Sequence, residues 1–457
     1  MKLLITLLAV LIIFTLSLVN WRSSVKAVLF ILVLEGVLRK WVLPQASEMI
    51  YFLKDIVLLG AYIRYCFSEP SPQKYLLKNH PINLLIFLAS AWCIFQAINP
   101  SLGSIIIGFW GIKNYLFYIP LVWIMPTLFK SEEELANFCR NYLLLIIPVG
   151  ILGIVQFASP ISSPINSYAP GLETEIATFG DGTIVRITST FSYINNYTAY
   201  LVVCFSLLIP LFLKQQPLMW RLIYLLEIGF IAVNSVMTGS RSPVIAAGLF
   251  LIGFMGATAI TRPAITLRLL QWLFPSAIMV SIAASFWFQK AFSSFLNRAT
   301  SNQDVSDRIW LSILQPISLM RYKNLDGYGT GATHPANGIL RQLLNLSPGE
   351  IIPEISEPEP GKIMLELGLI GFIFWYGLRI GLIIVLWLLF WRLKRRFLRH
   401  LALSAFLVQI IWLNGQMVFL HTFAVYYWFL SGFIFLLPRL EQIENWRQQQ
   451  QRSQSSG

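Results

Sequence analysis

The chain is cut into apolar runs about 20 residues long, the length a helix needs to cross the hydrocarbon core of a bilayer. In lipid only helices and closed barrels satisfy their own backbone groups, and continuous apolar runs lack the alternation of a barrel strand. The runs fall near 2–20, 24–39, 46–64, 81–97, 104–127, 141–158, 196–213, 221–238, 243–260, 269–288, 363–391, 401–419 and 422–438. They predict an all-α, polytopic membrane protein of about 12–13 transmembrane helices. Composition agrees, because 56% of the 457 residues are hydrophobic and 12% charged, whereas soluble domains carry about 25% charge. Residues 1–19 run into LSLVNWRSS (16–24), which has no small-x-small cleavage site, so the first run reads as a retained span.

A net charge of +13 would point to nucleic acid in a soluble protein. Here most of it sits in short loops, and topology explains it without a nucleic-acid partner. Arg392, Lys394, Arg395, Arg396 and Arg399 share one loop and place it in the cytoplasm. Counting backwards, Arg262 and Arg268, Lys214 and Arg221, Lys130 and Arg140, and Arg64, Lys74 and Lys78 also fall inside. The segments left outside are 40–46, 98–103, 159–195, 239–242, 289–362 and 419–422. The chain therefore divides into an N-terminal transmembrane bundle (1–158), central spans with the outer loop 159–195 and the GSRS turn 239–242 (159–288), a large periplasmic loop (289–362), C-terminal spans (363–438) and a frayed cytoplasmic tail (439–457). Cys66, Cys93, Cys139 and Cys204 show no metal-ligand spacing, so no metal site and no structural disulfide is expected.

Loops of more than about 15 residues are uncommon and usually functional or disordered, which makes 289–362 the candidate active face. Within it SDRIWLSILQPISLMRY reads as an amphipathic helix from about Ser306, a suitable N-cap. Ile309, Trp310, Ile313, Leu314 and Ile317 recur at helical spacing and suit either the membrane surface or the bundle, with Pro316 placed to bend the helix. Arg308 stands in its first turn. Next comes GYGTGATHPANG, whose Gly327, Gly329 and Gly331 permit an unusual backbone path without completing a phosphate-loop motif. His334 leads into a short helix, and its imidazole suits either general-base work or a structural hydrogen bond. The acidic stretch EIIPEISEPEPG then leads to Glu366 at the start of the next span.

Ionisable groups inside spans are costly and mark candidate sites. Lys54 and Asp55 read as a pair buried between helices, and Lys113 lies within another apolar run. Arg39, Lys40 and Lys113 suit either snorkelling to the interface or the lining of an outward-opening anion cavity. Arg186 lies among β-branched neighbours able to pack the outer loop onto the bundle. In TGSRSP, Arg241 is flanked by Ser240 and Ser242 ahead of Pro243, so hydroxyls, a guanidinium and a helix N-terminus form a cradle for phosphate.

TGSRS opening a span, RIWL heading a loop segment that ends in a glycine-rich turn, a histidine, and LELGLIGF together resemble the O-antigen ligase/polymerase family of bacterial membrane glycosyltransferases. The resemblance covers roughly residues 185–390. It implies a multi-pass protein of the bacterial inner membrane with an extracytoplasmic active face and a cytoplasmic C-terminus. It also implies a metal-independent, cofactor-free transfer of an undecaprenyl-pyrophosphate-linked glycan to a glycan or lipid-linked acceptor, with inversion at the anomeric carbon. Carried over, Arg241 and Arg308 bind the pyrophosphate, and His334 is the nearest match to the histidine that activates the acceptor hydroxyl. Arg186, Arg341, Ser240, Ser242, Lys113, Arg39 and Glu366 complete the candidate substrate site. The family pattern places a histidine several residues before ELGL, whereas 31 residues separate His334 from Glu366 here, so Glu357, Glu359 or no side-chain base stand beside it. Fixed arginines suit the charge that develops on a departing pyrophosphate. A polymerase is preferred slightly over a ligase.

Two rivals come from other classes. An anion transporter of bicarbonate type would use Lys54, Asp55 and Lys113, although no paired interruptions or internal repeat are legible and a long outer loop is unnecessary for it. A non-catalytic partner of a polysaccharide export complex is the third reading.

Overall fold

The computed structural model describes residues 2–68, 80–170, 176–179, 182, 184–261, 263–264, 267, 270–272, 275, 304–323 and 325–455. Among these the chain is helical, with a single isolated antiparallel bridge between Thr178 and Val185. Seven helical runs are long and apolar enough to cross a membrane: Ile105–Leu128, Glu132–Ala158, Ile194–Leu213, Leu218–Met237, Arg241–Thr261, Glu359–Arg392 and His421–Gln454. Helices Lys2–Val19, Trp21–Val37, Ser47–Phe67, Ile82–Gln96 and Arg396–Ile411 occupy five further apolar windows. The window 269–288, the loop markers Lys74, Lys78, Arg262 and Arg268, and the start of the large loop at 289–303 lie outside the described residues.

Burial sorts the helices into centre and rim. In Ile194–Leu213 the apolar window is 89% buried, whereas in Arg241–Thr261 it is 28% buried. The first is therefore the axis of the bundle, and the second presents Ile245, Leu249 and Ile252 outward as a lipid-facing surface does.

Several expected single spans are interrupted, each for a local reason. Pro120 has no N–H for the carbonyl of Leu116, and helix Ile105–Leu116 ends there before Leu121–Leu128 begins. Pro148 likewise has no N–H for the carbonyl of Leu144, which takes the Ile147 N–H instead at 3.3 Å, and this divides Glu132–Leu143 from Ile146–Ala158. The long run Glu359–Arg392 is broken at Gly368, whose φ of 65° an L side chain rarely adopts. The tail differs from the frayed segment the sequence suggests, because helix Phe433–Ser455 continues through it. Glu441 holds it down by accepting the N–H groups of Lys394 and Arg395 at 2.7 and 2.8 Å.

In the large loop the amphipathic helix runs Asp304–Leu319 and passes through Pro316 without ending. Leu319 packs with Tyr328, Met364 and Leu365 against the broken helix. Trp310, Ile313, Leu314 and Ile317 face outward and are exposed. A second short helix, Asn337–Leu343, follows His334.

Candidate functional site

Helix Glu359–Arg392 opens at Gly368, and three carbonyls freed by the break each find a donor. The N–H groups of Tyr328 and Gly329 reach the carbonyls of Leu365 and Glu366 at 2.7 and 2.9 Å. The indole of Trp92 donates to Leu367 at 2.8 Å. The glycine-rich loop thus fills the gap as a substitute for helical turn. On its other side it touches helix Ile105–Leu116 so closely that a Cβ on Gly111 would stand 2.3 Å from the Thr330 carbonyl oxygen.

Glu366 fixes the next turn. It is fully buried, and its carboxylate accepts the Tyr115 hydroxyl (2.8 Å), the Gly331 N–H (3.1 Å), and the N–H and hydroxyl of Thr333 (2.8 and 2.7 Å). Four donors match the four lone-pair positions of an ionised carboxylate. Glu366 therefore shapes the loop and meets no open space.

This anchoring sets His334 between two aromatic rings, with Trp110 at 5.6 Å and Phe419 at 5.9 Å between centroids. Lys113 lies 5.5 Å from the Trp110 ring, and Lys362 lies 4.8 Å from Phe419. Burial first, then the neighbouring charges of Lys113 and Lys362, push the His334 imidazole down to about 4. At neutral pH the ring is uncharged. The Ala336 N–H donates to its Nδ1 at 3.1 Å, so the ring proton sits on Nε2. In this state the Nε2–H of His334 is a hydrogen-bond donor, and service as a base would require the proton to move to Nδ1 and release Ala336.

Behind His334 lies a buried ionic network. Lys54 and Asp55 do not pair with each other: Lys54 pairs with Glu35 at 3.0 Å, and Asp55 pairs with Lys113 at 2.9 Å. Glu35 also pairs with Arg39 at 3.3 Å, while the Tyr118 hydroxyl donates to Asp55 at 2.6 Å. His421 closes the network through Tyr51 at Nδ1 and Asn114 Oδ1 (2.9 Å) at Nε2.

The structure divides the candidate residues into separate places. Arg39 is buried and donates to Ser47 and Ser192 at 3.1 Å each, and Lys40 is held by Thr188, Ser189 and Phe191. Both cations stitch the 188–192 segment to the bundle and neither snorkels. Arg186 donates through Nε to the Thr238 carbonyl at 2.9 Å, which brings it to the turn that carries Arg241. Arg241 opens helix Arg241–Thr261, and the hydroxyls of Ser240 and Ser242 lie 2.9 Å apart beside it. Arg341 donates to the carbonyls of Leu102 (2.8 Å) and Ser347 and binds two loops together. Arg308 belongs to helix Asp304–Leu319, and its side chain lies outside the described residues. Glu359 is sealed by Arg379 at 3.0 Å and by the Val418 N–H at 2.8 Å, which removes it as a base.

Half-buried groups, joined through the buried Arg39, form a continuous strip of cations and aromatic rings. Arg186 lies beside Tyr168, whose ring is 6.2 Å from Tyr193. Tyr193 lies beside Arg39, Arg39 is 5.1 Å from the Tyr51 ring, and Lys113 is 5.6 Å from the same ring. From Lys113 the strip continues through Trp110, His334 and Phe419 to Lys362. Sequence reasoning missed Tyr51, Trp110, Asn114, Lys362, Phe419 and His421. Only His421 carried a local signal, as an ionisable residue opening an apolar run. No protein-family model, curated protein or solved structure matches the chain.

Proposed function

We propose that the chain is an integral membrane glycosyltransferase that moves a glycan from undecaprenyl pyrophosphate to an acceptor sugar hydroxyl during cell-surface polysaccharide assembly. On this reading it is an O-antigen polymerase or ligase of the bacterial inner membrane, with about 12–13 spans, an extracytoplasmic loop face and a cytoplasmic C-terminus. The observation that carries the reading is the half-buried strip, in which cations alternate with aromatic rings from Arg186 to Lys362. Aromatic faces cover the apolar faces of sugar rings, and cations hold phosphate oxygens without a metal. Arg241 and Arg308 stabilise the departing pyrophosphate, and the outward apolar face of helix Asp304–Leu319 lies where a polyprenyl chain approaches from the bilayer.

The test is the profile of lipid-linked and polymerised glycans in a deletion strain complemented with wild type, Arg241→Ala or Arg308→Ala at matched expression. Accumulation of single repeat units on the carrier indicates a polymerase, and accumulation of full-length polymer indicates a ligase. Unchanged pools in both variants overturn the reading.

Anion transport is a second reading, favoured by the buried network of Glu35, Arg39, Lys54, Asp55 and Lys113 and by the helix break at Gly368. Uptake of labelled bicarbonate that is lost in Lys113→Ala, with glycan pools intact, would establish it.

A further inference from the structure

Near His334 two buried donors lack partners among the described residues, and one acceptor, Asn337 Oδ1, does too. The indole Nε1 of Trp110 and the amide Nδ2 of Asn114 are buried without a partner among the described residues. These residues stand four apart on one face of helix Ile105–Leu116, and Lys113 lies between them. His334 uses Nδ1 for Ala336, and its Nε2–H has no partner among the described residues. Lys362 makes no ion pair among them either. Native interiors rarely leave buried donors unpaired, so donors collected at one place mark a site for an acceptor.

Charge points the same way. The neighbourhood holds the cations Arg39, Lys54, Lys113 and Lys362 against the carboxylates Glu35, Asp55 and Glu366. Neutral His334 adds no charge of its own. Lys113 keeps 17% of its side chain exposed while paired with Asp55, so one side of it remains open. Excess cations, unpaired N–H donors and flanking rings suit a small oxyanion attached to something with an apolar face.

We propose that Lys113, Lys362, His334, Trp110 and Asn114 form a binding site for an oxyanion, supplied either by the carboxylate of an acidic sugar or by a phosphate of the carrier lipid. Naming these two sources rests on the glycan-transfer reading; oxyanion binding itself does not. Trp110 and Asn114 donate to the anion, Lys113 and Lys362 neutralise it from opposite ends, and the His334 Nε2–H fixes its orientation. Arg186, at the turn that carries Arg241, stands at the other end of the same strip.

The test uses the purified full-length protein in detergent, with thermal-shift and calorimetric titrations of glucuronate, inorganic pyrophosphate and glucose at neutral pH. Saturable binding of an anion, with no response to glucose, is expected. Lys362→Gln removes a charge that has no ion-pair partner among the described residues, and Trp110→Phe keeps an aromatic ring while removing the N–H. Each weakens anion binding at least about tenfold, the loss expected for one charge-assisted hydrogen bond, while ligand-free melting stays at the wild-type value. Binding of glucuronate alone identifies an acidic glycan, and binding of pyrophosphate alone identifies the carrier. No saturable response, or equal binding in both variants, overturns the site. Anion binding that Lys362→Gln abolishes while cellular glycan pools stay normal supports the site and overturns glycan transfer.

Discussion

Thr333 gives both its N–H and its hydroxyl to the carboxylate of Glu366, at 2.8 and 2.7 Å. The next residue is His334, so a carboxylate inside the bundle sets the position of an imidazole at the loop face. Glu366→Gln turns an NH2 group toward two of the four donors that the carboxylate accepts. Losing buried bonds to a charged acceptor costs about 3 kcal/mol or more, so this variant melts well below wild type and, under the proposed glycan-transfer reading, loses transfer activity. Glu366→Gln melting with wild type would show that the four bonds do not hold the loop.

His334 separates two chemical roles. A donor role predicts that His334→Gln, which keeps an N–H, stays within about tenfold of wild-type rate, whereas His334→Ala falls further. A general-base role predicts a loss of about 100-fold or more in both. Stability carries its own signature. The folded imidazole titrates near 4, below the 6.5 of the unfolded chain, so between these values the unfolded state binds more protons. The contribution is fully present above pH 6.5 and is lost as pH falls toward 4. His334→Ala therefore flattens the fall in melting temperature across that window, and an unchanged slope would contradict the buried, neutral ring.

Glu35 is the carboxylate shared by Arg39 and Lys54. Glu35→Gln leaves two buried cations without a counter-charge, and breaking such a pair costs about 3–5 kcal/mol. Adding Lys54→Met removes one of the stranded charges and restores part of the loss. Melting temperatures of the single and double variants measure the coupling. A double variant less stable than Glu35→Gln would mean that the bond from Lys54 to the Tyr51 carbonyl (2.6 Å) outweighs the stranded charge.

Local features of the sequence were legible because local physics produces them. The apolar period and acidic first turn of Asp304–Leu319 give that helix, and Pro243 marks the helix that Arg241 opens. The break at Gly368 was hidden inside LELGLIGF, since one glycine in an apolar run does not reveal that another segment fills the gap. Lys54 and Asp55, adjacent in sequence, read as each other's partners. Their side chains leave the helix in different directions, and tertiary packing gives each a partner from another helix. The meeting of Trp110, His334, Lys362 and Phe419 joins four separate segments, Trp110 lying 224 residues before His334, and no local pattern encodes it.

The outward face of helix Asp304–Leu319 predicts where the bilayer begins. Trp310, Ile313, Leu314 and Ile317 are 60%, 47%, 54% and 65% exposed, and the opposite side contributes Gln315 and Leu319 to the protein. In water such a row is unfavourable, at roughly 25 cal/mol per Å² of apolar surface, and in the headgroup region it is covered. Cys66 is the one exposed cysteine, so a Cys66→Ser background lets single cysteines report their surroundings. In right-side-out vesicles, a cysteine at Ile317 should react with a lipid-soluble maleimide and resist a charged one. A cysteine at exposed Glu357 in the same loop should react with both. Equal reaction of the charged reagent at both positions would place the helix in water and remove the lateral path for a polyprenyl donor.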